Sequence, residues 1–295
     1  MASSNIFDQK KKLLQKITDD LENSFGNLSK EIAKQIIDEF VDRLDTKDGQ
    51  IVYSSKNLQL ITAIDKIYNS IMANQGLDIV KTIIKNVEAI SKINVDYFSE
   101  FGGKGFEAST QKVQQIIKDR LGIGDKVKLK EGGYLDTLLK DNKVKNDIKR
   151  LSFQELAKQP GFKNFKTGLE RYIAGDKENL GAFQQHYRQY AYDVYVNVDR
   201  DESMLMAQEV DLTHFIYEGT LIDTSRPFCR KRAGKVFTIE EAKEWVNDDW
   251  IQRNLEKGYI TTYDPVTDMG LFSCRHIPRF ISREVAERLR PDLKK

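Results

Sequence analysis

The chain has 295 residues, 40% of them hydrophobic and 31% charged, which suits a soluble protein with two modest domains and a sizeable core. Lys plus Arg number 47 against 45 Asp plus Glu, a formal net charge of +2, which excludes a whole-chain field that would drive binding to nucleic acid or to an anionic membrane; any basic surface must be local. No apolar stretch approaches the roughly 20 residues that span a bilayer, the opening Met1-Ala-Ser-Ser-Asn-Ile lacks the apolar core of a signal peptide, and Cys229 and Cys274 are too few for a disulfide framework. The expectation is a protein with no membrane partner that matures in a cytoplasm with both thiols reduced.

Helical periodicity dominates the first two thirds of the chain. Apolar residues recur at three- and four-residue steps in Leu13, Leu14, Ile17, Leu21, in Ile32, Ile36, Ile37, Phe40, and in Leu60, Ile64, Ile67, Ile71, and each run predicts an amphipathic helix. Gly26-Asn27, Asp48-Gly49, Asn74-Gln75-Gly76 and Phe101-Gly102-Gly103-Lys104-Gly105 predict the breaks between helices. The last cluster lacks the Gly-Lys-Ser/Thr ending of a phosphate loop and reads as a helix breaker alone. A helical N-terminal region over residues 1–145 is expected, with Gly122-Ile123-Gly124 and Gly132-Gly133 at its seam with a second region over 146–295.

A long, aromatic-rich helix is predicted from about 180 to 210, where Tyr187, Tyr190, Ala191, Val194, Tyr195 and Val198 keep a helical step that Glu202, Met206, Ala207 and Val210 continue. With His186 these tyrosines could make a stacking surface, but the spacing is what a helix needs to bury one side, so core is the expectation.

A compact α+β part is expected over 211–295. Phe215-Ile216-Tyr217 is a short β-type run closed by Gly219 and the turn-like Asp223-Thr224-Ser225. Asp223 is expected to cap a helix begun at Ser225 to Pro227, with Pro227 early, where its missing N–H costs nothing. Thr238-Ile239-Glu240-Glu241 has the form of a capping box and predicts a helix carrying Ala242, Trp245 and Trp250. Ser282 suits the N-cap of a final helix through Leu289, stopped by Pro291. The fold class is thus mostly α, a helical N-terminal region followed by a small α+β C-terminal module.

Chemistry-bearing residues gather in the last third. Cys229, Cys274 and His276 would approach one another if the end of the module folds back, and with His214 or Asp223 as a fourth ligand they would make a zinc set. The Cys-x-His spacing is tighter than the usual zinc-ligand pairs, and a buried cysteine is more often a small hydrophobe, so the expectation is two thiols close together in the core without a metal. Asp223 as a general base with His276 lacks an orienting group and a nucleophile, and no catalytic residue is assigned. Arg226, Arg230, Lys231 and Arg232 lie within seven positions, and a helix would put Arg226 and Arg230 on one face. DNA or partner contact is one reading of this cluster; a solvated basic face or protein interface is the plainer one, because no aromatic platform is interleaved with it.

The order of these segments carries a resemblance. Phe215-Ile216-Tyr217-Glu218-Gly219 leads to Asp223, Arg226-Pro227-Phe228-Cys229, then Gly234-Lys235-Val236-Phe237, and finally Ser273-Cys274-Arg275-His276. Over roughly Leu180 to Ile281 the chain resembles the Mu F-like minor head proteins, or phage head morphogenesis proteins, in which a short strand, an Arg-Pro-x-Cys segment, a Gly-Lys turn and a closing Asn-Cys-Arg-His motif follow in this order; Ser273 stands where the family commonly has Asn. The resemblance implies a low-copy structural protein of a tailed bacteriophage rather than an enzyme. It implies no cofactor, binding to the portal protein and to capsid or scaffold proteins, a role in head assembly or in handling packaged DNA, and a location in the virion (the capsid interior or portal vertex) after assembly in the host cytoplasm. It implies structural roles for Asp223, Arg226, Pro227, Cys229, Gly234, Lys235, Cys274, Arg275 and His276. The rival classes are a metal-dependent hydrolase or nuclease built on Asp223, Cys229, Cys274 and His276, and a toxin or effector carrying the same module.

Overall fold

The computed structural model describes residues 2–102, 106–124 and 128–294; Gly103, Lys104 and Gly105 of the expected helix breaker lie outside them. In chain order it contains α1 (Ala2–Glu39), the strands β1 (Thr46–Lys47) and β2 (Gln50–Ile51), and the helices α2 (Ser55–Leu60), α3 (Ala63–Ser99), α4 (Phe106–Leu121), α5 (Tyr134–Lys140), α6 (Lys143–Ala157), α7 (Phe162–Ala174) and α8 (Ala182–Glu209). Then follow β3 (His214–Glu218), α9 (Pro227–Arg232), β4 (Val236–Thr238), α10 (Ile239–Lys243), α11 (Asp249–Glu256), β5 (Ile277–Ile281) and α12 (Arg283–Leu289). The protein is mostly α with a small α+β part near the C-terminus, and no described helix is long and apolar enough to cross a membrane.

Two compact units interleave along the chain: a sheet unit of residues 1–18, 85–118 and 192–295, and a helical unit of residues 19–84 and 119–191. In the helical unit, Leu21, Phe25, Leu28, Ile32, Ile36 and Phe40 of the α1 segment are all buried, as their three- and four-residue spacing requires. Tyr187 stacks on Phe25 with ring centroids 5.1 Å apart and lies 4.4 Å from Phe183, so the aromatic row at this end of α8 is core. The β1–β2 hairpin pairs Thr46 with Ile51 around Asp48 and Gly49, both at positive φ (52° and 76°), as a tight hairpin turn demands. Asn57 holds it, donating to the carbonyls of Asp45 (3.0 Å) and Val52 (2.7 Å).

Two expected breaks do not occur. Helix α1 continues through Gly26-Asn27 and α3 through Asn74-Gln75-Gly76. A glycine inside a helix costs about 1 kcal/mol relative to alanine, less than the apolar face of a long helix gains by burial. Gly76 also has a packing reason: a Cβ there would come within 2.7 Å of Leu139 Cδ2.

In the sheet unit, β3 is central in the order β4-β3-β5, with both neighbours antiparallel. Phe215 and Tyr217 alternate inward along β3, and their rings meet Trp245 at 5.9 and 5.6 Å. The capping box at Thr238 forms as expected, with the Glu241 N–H donating to Thr238 Oγ1 (3.0 Å) and the Thr238 N–H to Glu241 Oε2 (2.9 Å). The helix it starts is shorter than expected. After α10 the chain tightens into a 3-10 turn over Glu244–Asn247, and Asp248 caps a new helix, α11, through the Trp250 N–H. Trp245 and Trp250 therefore sit on different elements. Ser282 caps α12, which ends before Pro291 as expected.

This unit also buries polar groups. Lys10 Nζ lies 2.7 Å from Asp199 and donates to Ser203 (2.9 Å), while Glu202 accepts from Ser91 and from Asn94 (2.9 Å). Burial pushes the Glu202 carboxyl up to about 7, with Asp199 adding to the rise and the two hydrogen bonds and Lys10 opposing it. The folded protein thus holds a proton that the unfolded chain releases near the ordinary carboxyl value. Stability should fall as pH rises between these two values and then level off above about 7, by up to about 3 kcal/mol. Glu202→Gln should flatten the profile in urea unfolding at about pH 5 and about pH 8; an equally steep profile in the variant would assign it to other groups.

Candidate functional site

The site is built where β3, α9 and the turn before β5 meet. Tyr217 points inward from β3, and the chain leaves the strand at Gly219. Pro227 opens α9 at its first position, where no N–H is needed, and Arg226 is the N-cap residue. The Asp223 side chain does not cap this helix, contrary to expectation; Ser225 Oγ instead accepts from the Ile222 N–H (2.8 Å) and tightens the preceding turn. Cys229, one turn into α9, is buried. The closing motif arrives through Met269, Leu271 and Ser273, all with positive φ (46°, 64° and 54°), which reverse the chain and deliver Cys274 and His276 to the same spot. A left-handed backbone at 273 favours Asn, and Ser273 is held there by its N–H donating to Asp193 Oδ1 (2.8 Å).

The sequence expectation that the thiols meet is fulfilled. Cys229 Sγ lies 3.8 Å from Cys274 Sγ, and Cys274 Sγ lies 3.7 Å from His276 Nδ1. The three donor atoms fall within 4.8 Å of one another, and all three residues are buried. Neither His214 nor Asp223 joins them: His214 pairs across the sheet with Thr238 and Ile281, and Asp223 is exposed. The general-base pair of Asp223 with His276 is therefore not assembled. The Tyr217 hydroxyl stands 3.4 Å from Cys229 Sγ and 3.5 Å from Cys274 Sγ, and its ring lies 4.6 Å from the His276 ring.

The pair is polarised. A hydrogen bond from Cys229, the charge of Arg200 and contacts from His276 and Tyr217 together outweigh burial and hold the Cys274 thiol well below its ordinary value. Donating that hydrogen bond and being buried push Cys229 up, and burial pushes up Tyr217.

Arg200 of α8 holds the closing motif in place. It is fully buried, donating from Nε to the His276 carbonyl (3.0 Å) and from Nη2 to the carbonyls of Cys274 and His276 (both 2.7 Å). Two glycines allow the close packing. A Cβ on Gly270 would lie 2.7 Å from Cys229 Sγ and 2.9 Å from Cys274 Sγ, and one on Gly219 would lie 2.7 Å from the His276 ring.

The basic cluster is largely turned onto the protein itself. Arg226 donates to the Phe272 carbonyl and lies over the Trp250 ring at 4.8 Å. Arg230 donates to the carbonyls of Ser225, Ile222 and Asp223 (2.7 to 2.9 Å). Arg232 bonds Asp248 (3.1 Å) and lies over the Phe228 ring at 3.7 Å. Lys231 is 70% exposed and lies 3.9 Å from Asp248. Gly234, at φ 74°, turns the chain so that its N–H reaches the Tyr217 carbonyl and the Tyr217 N–H reaches the Lys235 carbonyl, which extends the sheet. Arg275 points outward between Cys274 and His276, lining a recess with Lys11 and Thr220.

Comparison with family models, with curated proteins and with solved structures gives no match.

Arg200, the Tyr217 hydroxyl and Gly270 are site residues that sequence reasoning missed. A signal for Arg200 existed: it falls on the helical step Val196, Arg200, Ser203, Ala207, every member of which is buried, so a charged group stands on a core face. Tyr217 and Gly270 carried no comparable signal.

Proposed function

We propose that the chain is a structural minor head protein of a tailed bacteriophage. In this reading it enters the procapsid with the portal and acts in head assembly or in handling packaged DNA, without catalysing a reaction. The observation that carries the reading is that the segments bearing the resemblance form one folded unit in which most motif residues, Asp223 and Arg275 excepted, have an architectural task. Cys229, Cys274 and His276 converge, Arg226 ties α9 to the turn before Cys274, Pro227 starts α9, and Gly234 and Lys235 extend the sheet. The burial of Cys274 and His276 suits a role in holding the module together better than one in attacking a substrate.

The module and the helical unit would act as binding surfaces for portal, capsid or scaffold proteins. DNA contact would be weak and local, because three of the four clustered cations already serve carbonyls and carboxylates of the protein. The logarithm of DNA affinity against the logarithm of salt should then have a slope shallower than roughly −3. Portal binding resting on apolar and shape contacts should persist where DNA is lost. Co-purification with the portal protein across a salt series tests this; a portal complex that is lost at the same salt concentration as DNA would refute it.

A further inference from the structure

We infer that Cys229, Cys274 and His276 hold a zinc ion that staples α9 to the start of β5. The inference reverses the expectation of a metal-free thiol pair, and it stands on geometry alone. With Zn–S of about 2.3 Å and Zn–N of about 2.0 to 2.1 Å, a tetrahedral centre places two sulfurs about 3.8 Å apart and a sulfur about 3.6 Å from a nitrogen. The protein sets Cys229 Sγ and Cys274 Sγ 3.8 Å apart, and Cys274 Sγ 3.7 Å from His276 Nδ1. The Tyr217 hydroxyl, 3.4 and 3.5 Å from the two sulfurs, stands close to the sulfur–oxygen edge of the same tetrahedron and is the candidate for the fourth corner.

Hydrogen bonding does not explain the burial of His276. Its Nδ1 meets a thiol sulfur, a weak partner, and its Nε2 is buried with no hydrogen-bond partner among the described residues. A buried imidazole with no strong interaction at either nitrogen is costly; a metal at Nδ1, the nitrogen beside the sulfurs, gives that nitrogen the strong interaction it lacks, while Nε2 keeps none. The surroundings hold the ligands as a metal site requires. Arg200 fixes the carbonyls on both sides of Arg275, setting the two ligands of the Cys-x-His segment in one orientation. Gly270 covers the sulfurs so closely that even a methyl group would collide with them, which leaves that side closed to a substrate.

Binding replaces the two thiol protons with one Zn²⁺, a neutral exchange at the sulfurs apart from the released protons. The site is therefore structural, and the inference does not depend on the head-protein reading.

The test uses the full chain purified without chelator. Elemental analysis should find about one zinc per chain in the wild type and in His276→Cys, which keeps a third ligand, and less than about a tenth of that in the Cys229→Ser, Cys274→Ser double variant. Because the double variant could misfold, cobalt is also added to chelator-stripped wild type, where thiolate-to-cobalt charge transfer and the visible bands of a tetrahedral centre should appear and saturate at one equivalent. Wild type that is folded by circular dichroism yet holds no more zinc than the double variant would overturn the inference. So would cobalt-treated protein without thiolate bands.

Discussion

Replacing Arg200 by Met should destabilise the protein by about 3 to 5 kcal/mol, the largest single effect expected of any residue in the site. The guanidinium is fully buried in α8 and bonds the carbonyls of Cys274 and His276. A hydrogen bond to a charged donor contributes about 1.5 to 3 kcal/mol, and its loss leaves buried carbonyls with no replacement. Arg200→Lys should recover little, since one ammonium cannot reproduce a planar fork aimed at two carbonyls. Urea unfolding measures both variants. A loss below about 1 kcal/mol for Arg200→Met would show that the closing motif is held by something else.

Trp245→Ala should cost about 3 to 5 kcal/mol. The indole is the hub of the aromatic core of the sheet unit, with Phe237 at 4.9 Å, Tyr217 at 5.6 Å, Phe228 at 5.8 Å and Phe215 at 5.9 Å between ring centroids, and Arg232 at 4.9 Å over its face. Truncation would leave a cavity bordered by two strands and α9, too wide for neighbours to close. Trp245→Phe keeps part of the ring volume and should lose less than half as much. Trp245→Ala should also be more damaging than Trp250→Ala, since Trp250 is only partly buried. Thermal unfolding followed by near-ultraviolet circular dichroism orders the three variants; equal losses for Trp245 and Trp250 would contradict the hub role.

Features set by neighbours in sequence were legible. The capping box at Thr238, the cap at Ser282 and the buried faces of α1, α3 and α8 depend on spacings of three or four residues, which one helical turn brings together, and Pro227 opens α9 as its missing N–H allows. The breaks predicted at Gly26 and Gly76 failed because a glycine's local cost is small beside the burial of a whole helix face, a quantity that the dipeptide does not report. Asp223 failed as a cap because Ser225, two residues on, closes the turn first and leaves the helix to start after Arg226.

The site itself was half legible. That Cys229, Cys274 and His276 were worth pairing followed from their rarity in the chain, but their contact spans 45 residues and depends on the left-handed turns at Met269, Leu271 and Ser273, which no local pattern announces. The basic cluster looked like a surface because charged residues are ordinarily solvated. Its three arginines instead serve backbone carbonyls: Arg230 those of the loop between β3 and α9, Arg226 that of Phe272 in the turn before Cys274, and Arg232 that of Phe228 within α9.

The head-protein reading meets its most direct test in the particles themselves. On this reading the chain is encoded by a virus, and mass spectrometry of DNA-filled heads purified from that virus's lysate should find it at low copy number beside the portal protein, and should find it missing from heads assembled without portal. Its absence from filled heads, with metal-dependent cleavage of DNA by the purified chain, would contradict the reading and favour the hydrolase.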